Sequence, residues 1–306
     1  MNAVILGYGV VGKGIEILAK ALDDINIKYV YVRKEKENLP YFSNNEDMVV
    51  QEDIDIVFEC LNGLEPANTL IQKALKKGKH VISSNKAVVA TYLDTYLELE
   101  EEYGGSIQVE ACVAGGIPFI DALLKLKRLE PLQGYEGIFN GTSNYILDSM
   151  QKNNLDFEDV LKEAQDKGYA EKDPSNDIDG VDVYYKTKIS NSLAFNTPIV
   201  DIPYYAGIRT IKMLDIKFIK MNNKVIRHLS ISRQIDDKII SIIAPCCMDE
   251  NDFLANVPSN YNAQKILSHS FDTLGYYGQG AGQLPTAQAM VQNLSLIHIS
   301  EPTRPY

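Results

Sequence analysis

Between Ala164 and Lys186 the chain reads AQDKGYAEKDPSNDIDGVDVYYK, and Glu171, Asp173, Asp177, Asp179 and Asp182 crowd into one short loop and the first turn of the helix after it. Asp173-Pro174 and Asp179-Gly180 are turn signals within that loop. Beyond Asp179 the pattern changes. Val181, Tyr185, Ile189 and Leu193 stand four apart and predict an apolar helical stripe. Asp182 and Lys186 are also four apart, so they share a helix face beside that stripe. Carboxylates gathered in front of such a pair can hold an ammonium-bearing substrate beside a proton donor. The plainer reading is a solvated acidic loop with an ordinary i,i+4 ion pair, worth little in itself.

A second stretch with chemistry opens the chain. Val4-Ile5-Leu6 fits a buried strand and leads into Gly7-Tyr8-Gly9-Val10-Val11-Gly12, after which Ile15, Leu18, Ala19 and Leu22 carry helical spacing. This is GxGxxG in the strand–turn–helix setting of a dinucleotide-binding turn. Gly7 permits the tight turn, Gly9 lets the backbone approach a pyrophosphate and Gly12 lets the helix pack on the strand. A glycine turn of purely structural use is the alternative. The next strand, over 27–32, ends in Arg33-Lys34, where an NAD-binding chain usually places an acid on the ribose hydroxyls. Arg33 can pair instead with a 2′-phosphate, which favours NADP. Glu35 follows, and an exposed strand-end arginine is often merely solvated.

The elements that must position these residues alternate. Strands over 54–60, 80–82 and 107–109 alternate with helices over 66–77 and 91–103, the rhythm of a doubly wound parallel sheet. Loops after the carboxyl ends of such strands hold the ligand, so Lys86, in Ser83-Ser84-Asn85-Lys86, lies where chemistry is expected. A lysine opening a helix opposes the macrodipole and calls for an anionic or catalytic partner, though a surface lysine is the alternative. Glu110 begins EACVAGGIP, where a carboxylate and irregular carbonyls suit either a hard cation or a tight turn.

From about residue 132 the rhythm changes, which places a domain boundary near residue 130. The expected organisation is α/β: a Rossmann-type domain over 1–130, an α+β substrate and dimerisation domain over 131–275, and a segment over 276–294 returning to the first. In the second domain a strand over 134–139 leads to Asn140-Gly141-Thr142-Ser143-Asn144, a turn and helix cap. A helix over 157–167 precedes the acidic loop. Segments over 216–219, 225–231 and 239–244 read as antiparallel strands. A glycine-rich loop over 275–282 and a helix from Pro285 follow. The final SLIHISEPTRPY, over 295–306, resembles a translated sequencing adapter and is set aside as non-native.

With 306 residues, 45% hydrophobic and 23% charged, the chain has the length and composition of a two-domain globular protein. Its net charge of −11 argues against nucleic-acid or anionic-membrane surfaces. No stretch reads as a signal peptide or membrane span, so a cytoplasmic setting is the default expectation. Cys60, Cys112, Cys246 and Cys247 form no CxxC pair and read as reduced core thiols.

Together these motifs resemble homoserine dehydrogenase. The family signature is met by Ala164, Gly168, Asp173-Pro174, Asp177-Ile178, Gly180, Asp182 and Lys186, and GYGVVG, SSNK, EACVAGGIP, NGTSNY and GQGAG follow in family order over residues 1–294. The resemblance implies NAD(P)-dependent interconversion of L-homoserine and L-aspartate 4-semialdehyde, on the route to threonine, isoleucine and methionine. It implies that Glu171 and Asp182 bind the substrate amino group, that Asp177 supports them, and that Tyr169 and Thr142 line the site. Lys186 and Lys86 are the implied proton carriers, with Lys186 preferred because Asp182 can orient it. The implied cofactor contacts are Gly7, Gly9, Val10, Val11, Gly12, Arg33, Ser84, Lys86, Gly280 and Thr286. Glu110, with Val113, Gly115 and Ile117, matches the family's site for a monovalent cation, sodium or potassium. A homodimer is expected, because strands over 210–245 would otherwise present sheet edges.

Two departures stand out. No regulatory ACT domain follows residue 294, so threonine feedback through one is not expected, and Val291-Gln292-Asn293 lacks the Asp usual near the end of that helix. The competing readings are a truncated nucleotide-binding homologue without turnover and another short-chain semialdehyde or amino-acid dehydrogenase. The second would need a catalytic Cys or His, and Cys112 sits in the cation-type turn while the histidines lie outside the motifs.

Overall fold

The structure is a computed structural model in which residues 1–22, 24–33, 41–236 and 238–294 are described. Lys34, Glu35 and the adapter-like residues 295–306 lie outside that set. The chain divides into two compact units, Met1–Gly116 with the chain from Ala281, and Ile117–Gly280.

The first unit contains β1 (Asn2–Leu6), α1 (Val10–Ala19), β2 (Asn26–Tyr31), β3 (Phe42–Ser43), β4 (Ile56–Glu59), α2 (Ala67–Leu75), β5 (His80–Ser83), α3 (Lys86–Tyr103) and β6 (Ser106–Gln108). Its strands form one parallel sheet in the order β3-β2-β1-β4-β5-β6. Ala3, Val4, Ile5 and Leu6 of β1 and Ile56, Val57 and Phe58 of β4 are all fully buried, as strands covered on both faces must be. The strand order reverses between β1 and β4, the switch point at which ligands sit in such sheets. Register pairs Leu6 with Glu59 and Glu59 with Ser83, so β1, β4 and β5 end together and their following turns gather at one edge.

The helix expected over 91–103 begins five residues earlier, at Lys86. Asn85 is its N-cap, with Oδ1 accepting from Val88 N at 3.3 Å, and Gly104, left-handed at φ 73°, ends it. The cap thus joins the end of β5 to the helix within SSNK, with Ser83 in the strand and Lys86 in the helix.

The second unit contains α4 (Phe119–Leu126), β7 (Gly134–Ile138), α5 (Gly141–Asn153), α6 (Phe157–Asp166), α7 (Ser175–Ile178), α8 (Val181–Phe195), α9 (Met213–Met221), β8 (Lys224–Ile235), β9 (Lys238–Asp249), β10 (Asn262–Ser268) and β11 (Asp272–Gly278). The five strands form an antiparallel sheet in the order β11-β10-β7-β8-β9. The unit begins ahead of residue 130 because α4 belongs to it: the Phe119 ring packs edge-on against Tyr135 at 5.6 Å and Phe139 at 5.3 Å. The chain then returns to the first unit as α10 (Gln283–Gln292), and Gly14 of α1 lies so close to Ala287 that a Cβ there would come within 2.8 Å.

Four expectations are corrected. Residues 216–219 are helical, inside α9, because Ile216 and Ile219 are the buried pair and stand three apart. Gly275 to Gly278 belong to β11, paired with β10, with Gly275 lying over the Phe253 ring. The thiols are not all core groups: Cys112 is buried and Cys60 and Cys246 are partly so, but Cys247 is exposed because neighbours on β9 point to opposite faces.

The fourth correction concerns α8. Of the expected stripe, only Ile189 is fully buried, and Val181, Tyr185 and Leu193 are partly covered. The buried face instead carries Asp182, Lys186, Thr187, Ser190 and Asn191. Its partners are polar too: Thr187 Oγ1 donates to Ser230 Oγ at 2.8 Å, Tyr135 Oη to Asn191 Oδ1 at 2.8 Å, and Asn191 Nδ2 to Ser241 Oγ at 2.9 Å. Buried polar groups are tolerated where each finds such a partner.

Candidate active site

In the second unit the site grows from the turn between β7 and α5 and from the first turn of α8. Asn140 follows β7 and caps α5, its Oδ1 accepting from Ser143 N at 2.8 Å. That bond fixes the amide orientation and leaves Nδ2 to donate. It reaches Asp177 Oδ1 at 2.6 Å and Asp182 Oδ2 at 2.9 Å. Lys186 Nζ donates to the same Asp182 oxygen at 2.7 Å and to the Phe139 carbonyl at 2.7 Å. Asp182 and Lys186 are 4% and 8% exposed, so this is no surface ion pair. In so dry a setting, losing either partner strands a charge.

The backbone around the pair is equally constrained. Gly180, left-handed at φ 85°, is the N-cap of α8 and places Asp182 in its first turn, where the macrodipole favours an anion. The neighbouring chain closes down on α7, since Ile208 N donates to the Ile178 carbonyl at 2.7 Å and a Cβ on Gly207 would lie 2.0 Å from that oxygen. Arg209 braces the same corner through two bonds to Asp179, at 2.7 and 2.8 Å. Beneath it His228 is buried, with Nε2 at 2.8 Å from the Ala206 carbonyl. Burial pushes its imidazole down to about 4, so it is neutral and donates from Nε2.

Of the other expected residues, Thr142, Tyr169 and Glu171 lie near this cluster in sequence. Thr142 Oγ1 donates to the Tyr169 carbonyl at 2.7 Å, and the Tyr169 ring packs edge-on against Tyr145 at 5.1 Å. Glu171, two residues on, is exposed, with its carbonyl accepting from Gln165 Nε2 at 3.1 Å. Gly280 lies so close to the Asn262 side chain that a Cβ would sit 1.9 Å from its amide nitrogen.

In the first unit, a cleft of about 500 Å³ is lined by Gly7, Tyr8, Gly9, Tyr31, Val32, Arg33, Cys60, Leu61, Asn62, Glu65 and Pro66. Gly7 is left-handed at φ 94°, and a Cβ on Gly12 would lie 2.1 Å from the Gly7 carbonyl, so both glycines are demanded by the turn. A Cβ on Gly9 would meet nothing within 4 Å, so the backbone there faces open space, as a pyrophosphate requires. Val10, 64% exposed, and Val11 start α1 beside that opening. Arg33, which follows β2, also lines the cleft. Ser84 N donates to the Glu59 carbonyl at 3.0 Å, and Lys86 is the first residue of α3. Thr286 lies in α10, its N–H bonded to the Gly282 carbonyl at 3.2 Å.

Glu110 is buried at 4% exposure, and the backbone after it is left-handed at two successive residues, Ala114 (φ 59°) and Gly115 (φ 56°). A left-handed alanine is costly, and such strain collects where backbone groups are held for a ligand. Ile117 opens the second unit. Among the described residues, no group of three or more His, Cys, Asp or Glu side chains could hold a metal ion.

Two residues escaped the sequence analysis. Asn140 was legible only as a cap, because its second task depends on carboxylates far along the chain. Glu59 carried a signal: it is the acid that ends the apolar strand of β4, and burial pushes its carboxyl up to about 7.

Known proteins are similar to this chain in sequence and fold. The family model described as homoserine dehydrogenase matches residues 118–294, and that for the homoserine dehydrogenase NAD-binding domain matches residues 7–110. A homoserine dehydrogenase from Lactococcus lactis is 32% identical over 313 residues, covering 96% of this chain and 73% of that protein. One from Neisseria gonorrhoeae is 38% identical over 249 residues, covering 81% of this chain, which spans 57% of that protein. The crystal structure of a homoserine dehydrogenase from Thiobacillus denitrificans superposes with a TM-score of 0.92 at 33% identity, covering 100% of this chain and 75% of that one.

Proposed function

The chain belongs to the homoserine dehydrogenase family, and on that premise we propose that it interconverts L-homoserine and L-aspartate 4-semialdehyde, with NADP the preferred nicotinamide cofactor. The observation that carries this reading is the buried Asp182–Lys186 pair, tied through Asn140 to Asp177. Asp182 and Glu171 take the substrate's ammonium group, Asp177 supports them, and Thr142 and Tyr169 line the site. When bound, the nicotinamide supplies or accepts the hydride at C4. As hydride adds to the aldehyde carbon, negative charge builds on its oxygen. The Lys186 ammonium stabilises that charge and passes a proton to it, and in the oxidation of homoserine the lysine takes the proton back. Lys86 is the second lysine assigned to proton transfer, from the start of α3.

The dinucleotide is held by Gly7, Gly9, Val10, Val11 and Gly12, with Ser84, Lys86, Gly280 and Thr286 completing its contacts and Arg33 on the 2′-phosphate. Glu110 and the carbonyls of Val113, Gly115 and Ile117 hold a monovalent cation. A homodimer is supported by β9, a terminal strand of its sheet with Ile240 and Ile242 exposed. A cytoplasmic place in amino-acid biosynthesis fits the four free thiols. No described helix is long and apolar enough to cross a membrane. The truncated, inactive reading is not favoured, since Lys86, Glu171, Asp182 and Lys186 are all present.

The test is homoserine-dependent reduction of NADP and NAD by purified protein, with and without potassium. Lys186→Ala should remove turnover by about two to four orders of magnitude while leaving NADP binding intact. Undiminished turnover in that variant would remove Lys186 from the chemistry.

A further inference from the structure

The core of β4 is apolar, with Ile56, Val57 and Phe58 fully buried, yet the strand ends in Glu59, whose side chain is fully buried too. A carboxyl group in such a place is costly unless donors meet it. Ser83 Oγ donates to Oε2 at 2.6 Å, Leu61 N donates to Oε1 at 2.8 Å, and Asn85 Nδ2 approaches Oε1 at 3.5 Å. The Glu59 carbonyl accepts from Ser84 N at 3.0 Å. One residue therefore grips the turn after its own strand and three successive residues, Ser83 to Asn85, where the neighbouring strand ends. The grip continues outward: Asn85 N donates to Ser83 Oγ at 3.1 Å, and Asn85 Nδ2 to the Gly63 carbonyl at 2.8 Å. Leu61 lines the cleft, and Lys86 is the next residue after Asn85.

We propose that Glu59 is a positioning residue for catalysis, tying the cleft wall at Leu61 to the Ser83–Asn85 turn and so fixing where Lys86 enters α3. The inference rests on the role in proton transfer given above to Lys86. An apolar residue would fill the same volume without burying a charge. What the carboxyl adds is direction, because it accepts from both turns at once. Glu59 need not touch substrate or cofactor; it acts through Lys86.

The test is a double-mutant cycle on the full chain, using Glu59→Gln, Lys86→Ala and the double variant. Turnover is followed with NADP and homoserine, and NADP affinity by calorimetry. Glutamine has the same shape, but its amide nitrogen cannot accept the Ser83 hydroxyl or the Leu61 N–H. Glu59→Gln should lower kcat by about a hundredfold, the scale of an ångström-level misplacement, with the homoserine KM changed far less. It should lower kcat no further in the Lys86→Ala background, because the group it positions is already gone. Wild-type kcat in Glu59→Gln, or the same fractional loss with and without Lys86, would overturn the inference while leaving the role of Lys86 intact. Full activity of Lys86→Ala would instead overturn that role, and the inference with it. Ser83→Ala, which removes the hydroxyl that joins Oε2 to Asn85 N, keeps the question open to refutation should Glu59→Gln fail to fold: its loss of kcat must also vanish in the Lys86→Ala background.

Discussion

Asn140 and Lys186 meet on a single oxygen: the amide nitrogen lies 2.9 Å and the ammonium 2.7 Å from Asp182 Oδ2. Because Asn140 also caps α5, its two tasks can be separated by substitution. Asn140→Asp keeps an oxygen for Ser143 N, so the cap survives, but it replaces the donor to Asp177 and Asp182 with a third carboxylate. Bonds of this charged kind are worth about 1.5–3 kcal/mol. A fall in kcat/KM of about ten- to a hundredfold at neutral pH is therefore expected, with the helix content unchanged by circular dichroism. Unchanged kinetics would reduce Asn140 to a cap.

The buried pair makes separate predictions for stability and activity. Asp182→Leu alone should cost about 3–5 kcal/mol in denaturant unfolding, because it leaves the Lys186 ammonium stranded. Adding Lys186→Met should recover most of that loss, since apolar residues of similar volume replace buried pairs well. Turnover should stay absent in both variants. A double variant that remains as unstable as the single one would show that the pair holds the fold by more than mutual neutralisation.

Two buried titratable groups give the two units opposite pH slopes. Burial raises Glu59 from 4.5 to about 7, so between those values the folded chain keeps a proton that the unfolded chain releases. Its stabilising contribution is complete below pH 4.5 and is lost as pH rises toward 7. Burial lowers His228 from 6.5 to about 4, so there the unfolded chain gains a proton that the folded one refuses. That contribution is complete above pH 6.5 and is lost as pH falls toward 4. Each limb amounts to about 3 kcal/mol. Because the two limbs oppose each other between pH 5 and pH 8, unfolding measured at both should show Glu59→Gln less stable at pH 5 than at pH 8, and His228→Gln less stable at pH 8 than at pH 5. A slope that survives its own substitution belongs to another group.

If NADP is preferred as proposed, Arg33 is the residue that should decide it. Arg33→Ala should raise the KM for NADP by about ten- to a hundredfold and leave that for NAD within about twofold, the signature of a lost contact to the 2′-phosphate. Equal effects on both dinucleotides would assign Arg33 to the cleft in general.

Much of this is legible in the sequence itself, and the residues show why. GYGVVG stood between a strand and a helix, and each glycine's steric demand is local, so the turn could be read from its neighbours. Asp182 and Lys186 were placed together by helix spacing alone. Hydrophobic periodicity failed on the same helix. It chose Val181, Tyr185, Ile189 and Leu193, whereas α8 buries Thr187, Ser190 and Asn191 against Ser230, Ser241 and Tyr135. Periodicity reports burial only where the facing layer is apolar. Ile216 and Ile219 misled in another way, since a short β-branched run does not distinguish strand from helix and only the partners of α9 decide it. Asn140 could not have been found by spacing, because its partners are assembled by the fold, whereas Glu59 is marked in the sequence only as the acid that ends an apolar strand.

An oily interface would let a helix settle in several rotational phases of similar energy, but the hydrogen-bonded seam beneath α8 allows one. Turning it by a single residue would unpair Thr187 and Asn191 from their hydroxyls and carry Lys186 away from the Phe139 carbonyl. The seam therefore acts as an index mark, so that one angular setting of the helix both satisfies the layer beneath it and aims its lysine.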